Sequence, residues 1–180
     1  MCDNRMNEVI AVSTAIQIGT YVLYGKMGVC LVRERITMPG GAGDGTYYVL
    51  SPMSDSRSSV YVPCGNAQLV ARMRPLLTRE EIDSLLAGAN EPPLAWVDDR
   101  NQRFSLYRSV MGGSDRREWI RLIRCLHQRK KEKAAVGKRL SSMDETALQE
   151  CIRLLTEELS LVLEIPRSEV EGYVHSRVNK

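Results

Sequence analysis

The sequence predicts an α+β fold, a small β-barrel followed by an α-helical bundle. Residues 18–70 alternate short β-rich runs with glycine and proline turns, whereas the later residues show apolar spacings of three and four opened by helix-capping boxes. Charge divides along the same line. Residues 1–90 hold 8 Lys/Arg against 8 Asp/Glu, residues 100–139 hold 13 against 3, and residues 140–180 hold 4 against 8. One sharply basic segment followed by an acidic end gives a polarised chain, suited to orienting on a polyanion.

The first strand is Ile18-Gly19-Thr20-Tyr21-Val22-Leu23-Tyr24, broken at Gly25-Lys26-Met27-Gly28 and followed by Val29-Cys30-Leu31-Val32-Arg33-Glu34-Arg35-Ile36. Pro39-Gly40-Gly41-Ala42-Gly43-Asp44-Gly45 is a loop, and Thr46-Tyr47-Tyr48-Val49-Leu50 is the third strand. Ser54 to Ser59 turns the chain into Ser59-Val60-Tyr61-Val62-Pro63, where Pro63 ends the ladder for want of an N–H. Short strands this close together predict a small SH3-like or Tudor-like barrel.

Thr78-Arg79-Glu80-Glu81 is a capping box leading into Ile82, Leu85 and Leu86. Residues 88–93 read as a linker, after which a helix over 96–107 ends before Gly112-Gly113. Ser114 is the expected cap of the next helix, whose Trp119, Leu122, Ile123 and Leu126 form an apolar stripe with Arg117, Arg121, Arg124 and Lys131 on its polar faces. Ser142-Met143-Asp144-Glu145 reads as a second box before the longest helix, carrying Leu148, Cys151, Ile152, Leu155, Leu159 and Val162. Pro166 stops it, and Ser168 to Glu171 repeats the box before a last helix holding Val170, Val174 and Val178. The domain reading is 1–76, with its core about 17–72, and 77–180.

With 180 residues and 43% hydrophobic content, two small cores are affordable. No apolar run reaches the roughly 20 residues needed to cross a bilayer, and residues 1–7 lack a secretion signal's charged start and apolar core, so a cytoplasmic protein is expected. Cys2, Cys30, Cys64, Cys125 and Cys151 never stand in C-x-x-C spacing and read as reduced packing thiols. His127 and His175 are far apart without ligand-spaced partners, so no metal and no cofactor are expected. There is no nucleophile elbow, P-loop, dinucleotide fingerprint or H-E-x-x-H. The glycines of 40–45 join two strands instead of opening a helix, which removes the usual phosphate cradle. Asp98-Asp99 and Glu157-Glu158 are adjacent pairs that a helix would point apart. A non-enzyme without a small-molecule substrate or membrane partner is the expectation.

Gly19-x-x-Val22-x-Tyr24 with Gly28-Val29, Tyr48-Val49-Leu50, Val62-Pro63-x-x-Asn66-Ala67 and Arg74-Pro75-Leu76 occur in an order that resembles the CarD-like (CdnL) bacterial transcription regulators. The second half adds Trp96 with Arg100 and Arg103, Gly113-x-Asp115, Ile123-Arg124-x-Leu126, Leu140-Ser141 and Glu157-Glu158-Leu159. The resemblance implies a Tudor-like domain that binds the β subunit of bacterial RNA polymerase and a helical domain that touches promoter DNA. It also implies that Trp96 wedges into the minor groove at the upstream edge of the melting bubble and stabilises the open promoter complex.

The implied DNA-facing set is Trp96, Arg100, Arg103, Arg124, Arg129 and Lys130, and the implied polymerase-facing set is Arg33, Arg35, Arg57, Tyr61 and Pro63. Where well-known members place basic residues after the tryptophan, this chain has Val97-Asp98-Asp99; Arg100 and Arg103 compensate if 96–107 is helical. On the polymerase side the basic residues that other members use do not align cleanly with Met38 and Tyr61, and Arg33, Arg35 and Arg57 stand as substitutes. Apart from the resemblance, Trp96 reads as an anchor between domains ahead of a wedge, and Trp119 as core. Arg129-Lys130-Lys131-x-Lys133 reads as either a solvated helix end or a phosphate track. The alternative function is a protein-interaction adaptor with no direct DNA contact.

Overall fold

Five short strands open the fold: β1 (Tyr21–Tyr24), β2 (Val29–Thr37), β3 (Thr46–Pro52), β4 (Val60–Pro63) and β5 (Met73–Pro75). They belong to a computed structural model that describes residues 16–39, 45–88, 91–113 and 115–178. The chain divides into two compact units, Met1–Leu76 and Leu77–Lys180.

In the first unit a 3-10 turn at Gly25–Met27 joins β1 to β2, which pair as Tyr21↔Leu31 and Leu23↔Val29. The β2–β3 ladder pairs Val32↔Leu50 and then Glu34↔Val49, so Arg33 sits in a bulge. At the open end of this ladder, Met38 donates its backbone N–H to the Gly45 carbonyl at 2.7 Å. Gly45 has φ +72°, and a Cβ there would stand 2.6 Å from the Met38 oxygen, so glycine is required. The Gly40 to Asp44 stretch lies outside the described residues.

Period-two alternation puts Val22, Cys30, Val32, Tyr48, Leu50, Val62 and Met73 into one core. Strand order is β4-β3-β2-β1-β5, all antiparallel. No pairing joins β4 to β5 among the described residues, so the predicted barrel is not closed. Pro63 and Pro75 end these two edge strands, and neither has an N–H with which to extend a closing ladder.

Helix α1 (Ala67–Val70) is a single turn capped by Asn66 in the first unit. The second unit holds α2 (Arg79–Ala87), α3 (Arg100–Gly112), α4 (Arg116–Ala135), α5 (Ser142–Leu163) and α6 (Arg167–Val178). The Thr78 capping box forms in full, with Thr78 and Glu81 each satisfying the other's backbone N–H. The other starts differ from expectation. Asp99, three residues into the predicted helix, caps α3, Asp115 rather than Ser114 caps α4, and Ser141, not Ser142, caps α5; each of the three has the extended backbone and the side-chain acceptor that a cap requires. Ser114 lies outside the described residues. Helix α6 begins at Arg167, directly after Pro166, so the Ser168 to Glu171 box falls inside it.

Trp119 is fully buried with Leu122, Leu126, Leu148, Cys151, Leu154 and Leu159, and its Nε1 donates to the Val110 carbonyl at 2.8 Å. Cys30, Cys64, Cys125 and Cys151 are free thiols, and burial pushes Cys151 up to about 12. Among the described residues no helix is long and apolar enough to cross a membrane.

Candidate nucleic-acid interface

Residues 92–98 form no regular element, and Pro92 and Pro93 supply no N–H of their own. Arginines on α4 hold this segment down instead. Arg121 Nε donates to the Pro92 carbonyl at 2.9 Å, Leu94 N donates to the Arg121 carbonyl at 3.3 Å, and Arg124 Nη1 donates to the Glu91 carbonyl. Arg117 stands 4.0 Å from the Glu91 carboxylate. The arginines expected on polar helix faces thus strap an irregular segment to α4, and that segment carries Trp96.

Trp96 is half-buried, and its position corrects the expected helix over 96–107. Asp99 accepts from Gln102 N at 2.8 Å and starts α3 there, so Trp96 precedes the helix. The indole Nε1 donates to Asp98 Oδ1 at 2.9 Å. Both carboxylates after the tryptophan therefore have structural work, one on the indole and one at the helix cap.

Two guanidiniums lie over the indole, Arg103 at 4.5 Å and Arg129 at 4.8 Å from the ring centroid. Arg103 is only 9% exposed, which makes it a support and not a free phosphate ligand. Its Nη1 donates to the Val97 carbonyl at 2.8 Å and to the Asp98 carbonyl at 3.0 Å, while its Nε donates to Asp144 Oδ1 at 2.9 Å. Asp144 also accepts from Tyr107 at 2.9 Å and from Ser141 at 2.6 Å. One buried carboxylate thereby ties the start of α5 to α3, and through Arg103 to the tryptophan segment.

Burial alone would raise the Asp144 carboxyl, but hydrogen bonds from Ser141, Arg103 and Tyr107 outweigh it and hold the group below its usual 3.8. Burial and the Asp144 hydrogen bond push the Tyr107 phenol well up. A carboxyl depressed on folding contributes stability that is present above its unfolded value and is lost as pH falls through the folded one. The melting temperature of the second unit is thus expected to fall below about pH 4. Melting wild type and Asp144→Asn across pH 2–6 checks this, the variant losing that part of the slope.

Of the remaining expected DNA-facing residues, Arg100 is exposed as the first residue of α3. Arg129 is half-buried, donates to Glu132 at 2.8 Å, and has a buried Nε without a hydrogen-bond partner. Lys130 pairs with Glu145 at 2.8 Å. Sequence reasoning missed Phe104, 48% exposed, with Arg108 at 5.9 Å from its ring. Arg100, Phe104 and Arg108 are spaced by four and share one outer face of α3, a pattern visible in the sequence once the helix start is placed.

The expected polymerase-facing residues are not gathered. Directly paired residues share a face, so Arg35 lies on the core side with Tyr48 and Val62. Tyr61 and Pro63 lie on the opposite side with Val49, Tyr47, Glu34 and Ile36. Arg33 is exposed at the bulge, and Arg57 stands exposed in a turn 3.6 Å from Asp55. His175 has Glu171 at 4.0 Å, and among the described residues no group of three or more His, Cys, Asp or Glu could hold a metal ion.

Compared with known families, residues 16–77 match the CarD-like/TRCF RID domain and residues 84–175 match the CarD C-terminal domain. No curated protein matches the chain.

Proposed function

The chain belongs to the CarD-like family of non-enzymatic, RNA polymerase-interacting transcription regulators, and on that premise we propose that it bridges the polymerase β subunit and promoter DNA and stabilises the open complex. The first unit, residues 1–76, docks on the polymerase through the Tyr61 and Pro63 side of the sheet, with Arg33 and Arg57 at the periphery. The second unit, residues 77–180, meets DNA at the upstream edge of the bubble.

The observation that supports this reading best is a half-buried indole carried on an irregular segment strapped to a basic helix, with two guanidiniums over the ring. A flat aromatic group inserted at an opened step replaces lost base stacking. Arg100, Arg108 and Arg129 neutralise adjacent phosphates, and Phe104 adds apolar contact beside them. Because the wedge binds the melted form in preference to the closed one, it shifts the population towards the open complex without catalysing a step. Base identity is read weakly, since phosphate contacts carry no sequence information.

One observation favours an adaptor without DNA contact: Arg116, Arg121, Arg129 and Lys130 are each already paired to a carboxylate. Open-complex lifetime at two salt concentrations separates the readings. Trp96→Ala is expected to shorten the lifetime about tenfold, the scale of one base–aromatic stack worth about 1–3 kcal/mol, while polymerase binding is retained. Equal lifetimes with and without the indole would sink the wedge.

A further inference from the structure

We propose that Asp98 is a positioning residue that parks the Trp96 indole on the protein, so that engaging a melted step requires the Trp96–Asp98 hydrogen bond to be given up. The inference rests on the reading of Trp96 as the DNA wedge. Asp98 sits two residues beyond Trp96 in the irregular segment before α3, and the hydrogen bond between them puts both side chains together. Its backbone is held in place, because Arg103 holds the Val97 and Asp98 carbonyls at 2.8 and 3.0 Å and the next residue, Asp99, is fixed as the α3 cap. The indole N–H is thus tied at 2.9 Å while Arg103 and Arg129 lie over the ring.

In this reading the ring engages a base once the Asp98 and Arg129 contacts loosen, while Arg103 stays in place as the support of the segment. Arg129 is the first to yield, because an arriving phosphate competes with the indole and with Glu132 for its guanidinium. Asp98 opposes that arrival twice, by holding the N–H and by repelling the same phosphate. It is exposed and, unlike Asp99, caps no helix, so it can be replaced at little cost to the fold.

The test uses the full chain labelled with 5-fluorotryptophan, which gives separate fluorine resonances for Trp96 and Trp119, together with a forked DNA and an intact duplex of equal length. Asp98→Ala is expected to shift the Trp96 resonance and to raise the fork-to-duplex affinity ratio about three- to tenfold, the scale of one charge-assisted hydrogen bond partly offset by water. Asp98→Asn keeps an acceptor oxygen but not the charge, and is expected to keep the wild-type resonance with a ratio between those of the wild type and Asp98→Ala. A fall in fork affinity on Asp98→Ala would overturn the inference by showing that the carboxylate presents the ring instead of parking it. So would an unchanged ratio, or an Asp98→Asn variant matching Asp98→Ala. A wild-type chain with no preference for the fork, or one whose preference survives Trp96→Ala, would overturn the wedge reading and this inference with it.

Discussion

Glu158→Ala is expected to destabilise the helical unit by about 3–5 kcal/mol, the cost of breaking a buried ion pair from one side. Glu158 is fully buried on α5. Its oxygens accept from Arg116 Nε at 3.0 Å and Nη2 at 2.7 Å, and one of them also accepts the Leu77 backbone N–H at 3.0 Å. Alanine would take the buried carboxylate away from the Arg116 guanidinium, itself 7% exposed. At roughly 4–8 °C per kcal/mol for a unit of about 100 residues, the midpoint should fall by well over 10 °C. Thermal unfolding followed by circular dichroism at 222 nm checks this. Replacing both partners by apolar residues of similar volume should cost far less, because the desolvation of two charges disappears together with their attraction. A small effect of Glu158→Ala would mean that water reaches the pair.

Arg103→Ala is expected to cost about 3 kcal/mol and to release the tryptophan segment. The loss is smaller than for Glu158 because Asp144 keeps its hydrogen bonds from Tyr107 and Ser141. What disappears with the side chain is the pair of bonds to the Val97 and Asp98 carbonyls and one guanidinium over the indole. Ordering that segment on DNA would then cost conformational entropy that the native chain has already lost on folding. Binding to forked DNA should weaken while the slope of affinity against salt stays unchanged. A residue contacting phosphate directly would behave in the opposite way, leaving the melting temperature intact and reducing the salt slope by about one. Measuring both quantities on the same variant separates support from contact.

Several elements were legible because their causes are local. Thr78 and Glu81 form the capping box their spacing announces, and Trp119 lies in the core where its stripe puts it. The strands over 21–63 follow from alternation and turn residues, which act over a few positions. Strand β5 was not legible. Met73-Arg74-Pro75 has no strand pattern of its own and is extended because it pairs with β1, some fifty residues earlier in the chain.

The site divides in the same way. Trp96 and its basic neighbourhood could be named from sequence order, as could the departure at Asp98 and Asp99. That Arg103 is buried while Arg100 is exposed could not, since a basic residue on an amphipathic helix reads as solvated until its partner is known, and Asp144 is 41 residues away. The α+β class, the turns and caps, the uneven charge and the family order of motifs follow from the order of residues, because these depend on neighbours within a turn or on composition. The open sheet, the hold of Arg121 and Arg124 on a loop, and the charges already spent inside the protein emerge only in the folded chain. Those outcomes depend on pairing and burial between distant residues, where desolvation makes an ion pair either a buried support or a free surface contact.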